Sequence, residues 1–121
     1  MRDRHDGAVR SFADACRLGD PAALRTALDI DAVALCDGGG VVPAALGSIH
    51  GAAHVADLVA VLLRERPGTE LTVEAVNGRS GLALRRAGQA IAVVAVGSSG
   101  ARVAVLWIVL NPAKLGGWHR G

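Results

Sequence analysis

The chain has 121 residues, of which 51% are hydrophobic and 20% are charged, and its formal net charge is +2. This length suits one domain, and this hydrophobic content excludes a chain that is disordered by composition. The charged residues are spread along the chain without a basic run, so we expect no direct contact with nucleic acid. Because Phe12, Trp107 and Trp118 are the only aromatic residues, a ligand pocket would be lined by aliphatic side chains and would lack a tyrosine as acid.

No segment has the pattern of an export signal or a membrane span. The first seven residues are polar and charged, no apolar segment follows them, and the longest wholly apolar run is 103–110, whereas a spanning helix needs about 20 residues. Cys16 and Cys36 lack the spacing of a metal knuckle or a redox pair. We therefore expect a cytoplasmic protein with two buried free thiols, with a disulfide as the alternative.

The first part of the chain predicts two short helices that form a hairpin. Apolar residues recur over 8–18 with the spacing of one buried helical stripe. Asp20 followed by proline is typical of an N-cap and a first helical position, so a second helix is predicted over 21–28. Residues 1–7 are interpreted as a flexible segment before the domain.

The middle of the chain predicts a strand, a loop and a third helix. The strand, over 30–35, breaks at a run of glycines because successive glycines are costly in a strand interior. Residues 38–48 are predicted to form a loop over the mouth of the fold and to be the main functional loop. Apolar positions within 52–64 predict an amphipathic helix that ends before Pro67.

The rest of the chain predicts four antiparallel strands, over 71–76, 82–86, 90–96 and 102–110, with an Asn-Gly turn at Asn77. The last two strands are apolar on both faces, so one face can pack on the helices and the other needs a cover. We predict an α+β domain, with about three helices packed on a curved, mainly antiparallel sheet. We also predict a homodimer through the sheet, with a different partner domain as the alternative.

Two motifs stand at the ends of predicted strands, and three shorter ones lie between or before them. The two motifs are Asp37-Gly38-Gly39-Gly40 and Asn111-Pro112 with Lys114 and Leu115; the shorter ones are Gly19-Asp20, Gly51 with Val55, and Asn77-Gly78. Together they resemble the SnoaL-like domain at the C-terminus of a group of extracytoplasmic-function RNA polymerase sigma factors, which is part of the nuclear transport factor 2-like superfamily. The resemblance runs over about 12–115.

The resemblance implies a cone-shaped fold over 8–115, with 116–121 as a C-terminal tail. Trp118 is interpreted as a tail residue that packs back on the domain. It implies that the residues of the two motifs contact a ligand or a partner, such as the helical domains of a sigma factor. Val41 and Ala113 depart from the pattern, which has a lysine and an aspartate at these positions. Because the helical sigma domains lie outside these 121 residues, the resemblance implies a stand-alone paralogue or an excised domain.

Four residues are candidates for acid/base catalysis, namely Asp37, His50, Glu74 and Arg85. Enzymes of the superfamily that the chain resembles, such as polyketide cyclases, ketosteroid isomerase and limonene epoxide hydrolase, place Asp, Arg, Tyr or His at inward strand positions. Each candidate also has a simpler interpretation. Asp37 would organise its own loop, His50 would lie at the surface or cap a helix, and Glu74 and Arg85 would be solvated surface charges.

His50, His54 and Asp57 would share a helical face, but no glutamate follows the first histidine, so we expect no metal site and no cofactor. The sequence therefore favours a non-catalytic small-ligand-binding or regulatory domain. Its expected partners are a second copy, sigma-factor helical domains or a small apolar ligand. The alternative is a cofactor-independent cyclase, isomerase or hydrolase that acts on a small hydrophobic metabolite by general acid/base catalysis.

Overall fold

A computed structural model describes residues 4–38 and 48–119, and it packs three helices on one six-stranded sheet. The helices are α1 (Arg4–Leu18), α2 (Pro21–Ala27) and α3 (Ala52–Leu62). The strands are β1 (Leu28–Asp37), β2 (Ser48–His50), β3 (Thr69–Val76), β4 (Arg79–Arg86), β5 (Gln89–Ser99) and β6 (Arg102–Val109). Two 3₁₀ turns, Pro112–Lys114 and Gly116–Trp118, follow the last strand. The predicted α+β class is confirmed.

The strands lie in the order β2-β1-β6-β5-β4-β3. The predicted antiparallel meander of β3 to β6 is confirmed, while β1 pairs in parallel with β6 and antiparallel with β2. Strand β2 was not predicted, because a strand of three residues is too short to show alternation. Most of the loop predicted over 38–48 lies outside the described residues.

The first helix begins at Arg4, before the start that was predicted at Ala8. The reason is the buried side chain of His5, whose Nε2 donates to the Ser80 carbonyl at 2.9 Å and whose Nδ1 lies 2.8 Å from Ser98 Oγ. These contacts hold the first turn of α1 against β4 and β5. The prediction of a later start was wrong because both partners of this polar residue are distant in sequence.

The core lies between the helices and one face of the sheet. Its largest fully buried side chains include Phe12 on α1, Leu24 on α2 and Leu106 on β6, each of which stabilises the fold by about 1.5–3 kcal/mol through burial. Cys16 is buried and Cys36 is half-buried, both are free thiols, and burial raises the pKa of each thiol. None of the described helices is both long enough and apolar enough to cross a membrane.

The turn between β4 and β5 contains Ala87 in a left-handed conformation, with φ at 52° before Gly88 at 81°. A two-residue hairpin turn with positive φ at both positions favours Gly or Asn, and alanine is strained there by about 1 kcal/mol. Ala87→Gly is therefore expected to raise the free energy of unfolding by about 0.5–1 kcal/mol, measured by urea titration. Ala53→Gly, at an exposed position on α3, is the control and is expected to lower it.

Candidate functional site

Glu74 on β3 and Arg85 on β4 form an ion pair on the outer face of the sheet, the face turned away from the helices. The Arg85 guanidinium donates to both carboxylate oxygens of Glu74, with Nη2 3.0 Å from Oε1. Its Nη1 also donates to Thr72 Oγ1 at 3.2 Å, and its Nε donates to the Trp118 carbonyl at 2.8 Å. The hydrogen bond to Glu74 raises the pKa of Arg85 above its usual value.

This pair corrects the expectation that both residues are solvated surface charges. The side chain of Arg85 is only 6% exposed and that of Glu74 is 15% exposed. The cause is the C-terminal segment, which folds back so that Leu115 and Trp118 pack on the outer face. Trp118 was expected to pack back on the domain, and it does. The ion pair that this segment shields from water was not predicted, because its partners are distant in sequence.

An open cavity of about 520 Å³ lies beside the ion pair. It is lined by Gly68, Thr69, Glu70, Thr72, Glu74, Arg85, Ala87 and Gly88. The Glu74 carboxylate also accepts a hydrogen bond from the Thr72 hydroxyl. Both oxygens of this carboxylate are thus engaged by protein donors, whereas a general base needs an oxygen within reach of a substrate proton.

Asp37, at the end of β1, belongs to the first motif of the family resemblance and binds Lys114 of the second. Its carboxylate accepts from Lys114 Nζ at 2.5 Å, and its carbonyl accepts from the backbone N–H of Leu110 at 2.7 Å. Asn111 caps the following 3₁₀ turn, with its Oδ1 accepting from the Ala113 N–H. The charged ends of both motifs therefore lie together at the surface.

The other motif residues are placed differently. Pro112 is exposed, whereas Leu115 and Gly38 are buried. Leu115 packs in the outer-face cluster, so it contributes to the fold rather than to an exposed contact surface. Gly39 and Gly40, which the sequence analysis assigned to the same contact, lie outside the described residues.

His50 lies on the exposed edge strand β2 and not at the start of α3. Its Nε2 is 2.8 Å from Ser48 Oγ, and Gly51, at a φ of 94°, separates it from the helix that carries His54 and Asp57. The helical spacing of the two histidines therefore does not apply. Over residues 4–38 and 48–119, no group of three His, Cys, Asp or Glu side chains is arranged to hold a metal ion.

An apolar groove of about 540 Å³ runs along the outer face, on the last two strands, whose second apolar face was predicted to need a cover. It is lined by Val76, Asn77, Arg79, Val93, Ala95, Val96, Gly97, Trp107 and Val109. The Trp107 ring lies over Gly97, where a Cβ would be 3.7 Å from it, and the residue is 46% exposed. In the β5–β6 register Gly97 pairs with Val105 and Trp107 pairs with Ala95, so the ring reaches Gly97 diagonally. The sequence signal for this groove was the apolar character of both faces of the last two strands.

No protein-family model matches the chain, and no curated protein sequence matches it. Solved structures do match it, and the extracytoplasmic-function sigma factor SigJ of Mycobacterium tuberculosis superimposes with a TM-score of 0.67 at 23% identity, over 94% of this chain and 44% of that one. An NTF2-like protein of unknown function from Mesorhizobium loti superimposes with a TM-score of 0.62 at 22% identity, over 92% and 96% of the two chains. This chain has an NTF2-like fold.

The same NTF2-like fold occurs in an LEH-like epoxide hydrolase of M. tuberculosis, with a TM-score of 0.52 at 15% identity, over 92% of this chain and 87% of that one. The chain spans less than half of the sigma factor. At these identities the structural likeness establishes the fold only, so a function has to be inferred from the side chains of this chain. The cone expected from the sequence is confirmed.

Within this NTF2-like domain, the four catalytic candidates occupy three separate places. Glu74 and Arg85 lie together on the outer face, Asp37 lies at the end of β1 against Lys114, and His50 lies on the edge strand. Only the first two line a common cavity, and they bind each other. The arrangement therefore presents paired charges rather than an acid and a base that share one substrate atom.

Proposed function

We propose that this NTF2-like domain is a non-catalytic regulatory or small-ligand-binding domain, of the kind found at the C-terminus of extracytoplasmic-function sigma factors. The observation that supports this function is the pairing of Glu74 with Arg85 and of Asp37 with Lys114. General acid/base catalysis requires groups within hydrogen-bond reach of the same reacting atom. Charged groups that are bound to each other stabilise the fold and are not available for proton transfer, which favours a domain that binds a partner or a ligand.

The surface that we assign to the partner is the apolar groove around Trp107, and the occupant is a second copy of the chain. The domain's own C-terminal segment covers one part of the outer face through Leu115 and Trp118, and it leaves this groove open. An exposed aromatic side chain on an apolar patch with a polar rim, here Asn77 and Arg79, is typical of a protein interface.

Sedimentation equilibrium of the purified chain tests this interface. The unsubstituted protein is expected to be dimeric and Trp107→Glu monomeric, because a buried, unpaired carboxylate opposes association. Leu18→Glu is the matched control, since Leu18 is 75% exposed on α1 and lies outside the groove. A monomeric unsubstituted protein would refute self-association. Calorimetry with purified sigma-factor helical domains would assign the groove to that partner instead, if the domains bind the unsubstituted chain and do not bind Trp107→Glu.

The second candidate function is a cofactor-independent cyclase, isomerase or hydrolase for a small hydrophobic metabolite. It is favoured by one observation, the open cavity that Glu74 and Arg85 line together with Thr72. We expect no turnover of hydrophobic epoxides or ketones by the unsubstituted chain. Turnover that is present there and abolished in Glu74→Gln, which keeps the size of the side chain, would establish the enzyme and refute the non-catalytic function.

A further inference from the structure

A second cavity, of about 570 Å³, lies where the starts of β1 and β6 meet the start of α3. It is lined by Arg25, Thr26, Leu28, Ile30, Gly51, Ala52, Ala53, His54 and Arg102. These residues come from α2, β1, α3, β6 and the residue before α3, so the cavity is built by the tertiary fold. Neither the family resemblance nor the catalytic candidates include its charged residues.

The two charged side chains on the lining, Arg25 on α2 and Arg102 on β6, have the same sign. His54 on α3 also belongs to the lining, and no carboxylate of the described residues lines the cavity. Within residues 4–38 and 48–119, neither arginine forms an ion pair or a side-chain hydrogen bond. Two guanidinium groups at one cavity without a carboxylate partner favour an anionic ligand, because a guanidinium binds carboxylates and phosphates in a bidentate manner.

The backbone adds to this positive charge. Helix α3 has eleven residues, and its N-cap is Gly51, which has no side chain to accept from the amides of the first turn. Ala52 and Ala53, in that first turn, line the same cavity. Uncapped amides at a helix start carry partial positive charge and donate to anions.

The remaining wall is apolar. Leu28 is buried and Ile30 is 77% exposed, and both line the cavity together with the two arginines. An exposed isoleucine next to two cations matches a ligand whose anionic group continues into an aliphatic chain, since each part then has a matching surface. An inorganic anion would leave this apolar wall unused.

We infer that this cavity binds an amphipathic organic anion, a carboxylate or phosphate on an aliphatic chain. Arg25 and Arg102 bind the anionic group, and Leu28 and Ile30 contact the chain. The inference rests on the binding function proposed above, and it adds the ligand class and the place. It does not depend on the outer face, which lies on the other side of the sheet.

Octanoate and octyl phosphate are the probes, added to the full ¹⁵N-labelled chain and followed by amide chemical shifts and by calorimetry. Both are expected to shift the amides of Ala52 and Ala53 and to saturate. Arg25→Gln/Arg102→Gln is expected to weaken binding by about tenfold or more, because it removes two charge-assisted contacts. Arg10→Gln/Arg86→Gln removes the same charge at exposed positions outside both this cavity and the groove, and it is expected to leave the affinity unchanged.

Two further probes test the two parts of the ligand separately. Ile30→Ser is expected to weaken the binding of octanoate more than the binding of acetate, because acetate has no aliphatic chain to contact Ile30. Octylamine is expected not to bind, and equal binding of octylamine would show an apolar groove without charge preference and overturn the inference. Absence of octanoate and octyl phosphate binding, with the dimer intact by sedimentation, would remove this inference and leave the proposed interface standing.

Discussion

Arg85→Ala is expected to destabilise the domain more than any other side-chain removal on the outer face, by about 3–5 kcal/mol. The substitution leaves the Glu74 carboxylate, 15% exposed, without its counter-charge, and it leaves the Trp118 carbonyl without its donor. A buried charge that loses its partner is costly because the desolvation it underwent on folding is no longer offset. The free energy of unfolding from guanidinium chloride titration measures the loss.

A double variant separates the ion pair from simple loss of packing. Glu74→Leu/Arg85→Met removes both charges and keeps apolar volume, so it is expected to recover most of the stability that Arg85→Ala loses. Lys114→Met is the control for an exposed pair, since Lys114 and Asp37 are 61% and 39% exposed, and its effect is expected to stay below about 1 kcal/mol. If the double variant is as unstable as Arg85→Ala, the buried charge is not the cause.

Gly81→Ala is expected to cost about 2–3 kcal/mol, because β4 has no space for a Cβ at this position. The added atom would lie 2.7 Å from Val76 Cγ2 and closer still to the carbonyl oxygen of Val94 on β5. Neither neighbour can withdraw easily, since the Val94 backbone belongs to the β4–β5 ladder and Val76 packs in the outer-face cluster. The cost would appear as a lower midpoint of urea unfolding with an unchanged slope.

Gly97→Ala is the matched control for this effect. It also lies on the sheet, but its Cβ would meet Val105 Cβ at 3.5 Å and the Trp107 ring at 3.7 Å, which are ordinary contacts. Its stability change is expected to stay within about 1 kcal/mol. Equal losses at Gly81 and Gly97 would mean that strand glycines matter here for backbone reasons rather than for lack of space.

Much of the fold was predictable because its signals are local. Asp20 before Pro21 set the start of α2, and the Asp20 side chain does accept from the Ala22 N–H at 3.0 Å. Asn77-Gly78 set the first turn of the meander, and both residues have positive φ. Such signals act within three or four residues, so they can be recognised without knowledge of the rest of the chain.

The sequence by itself therefore determined the helices, the meander and the two-sided apolar strands. The tertiary structure alone decided which charges are buried and which surfaces remain open. Arg85 is buried because Trp118 returns across the sheet, and Arg25 reaches the same cavity as Arg102 because β1 pairs in parallel with β6. The pairing partners of a side chain depend on segments brought together by packing, and no local pattern encodes that proximity.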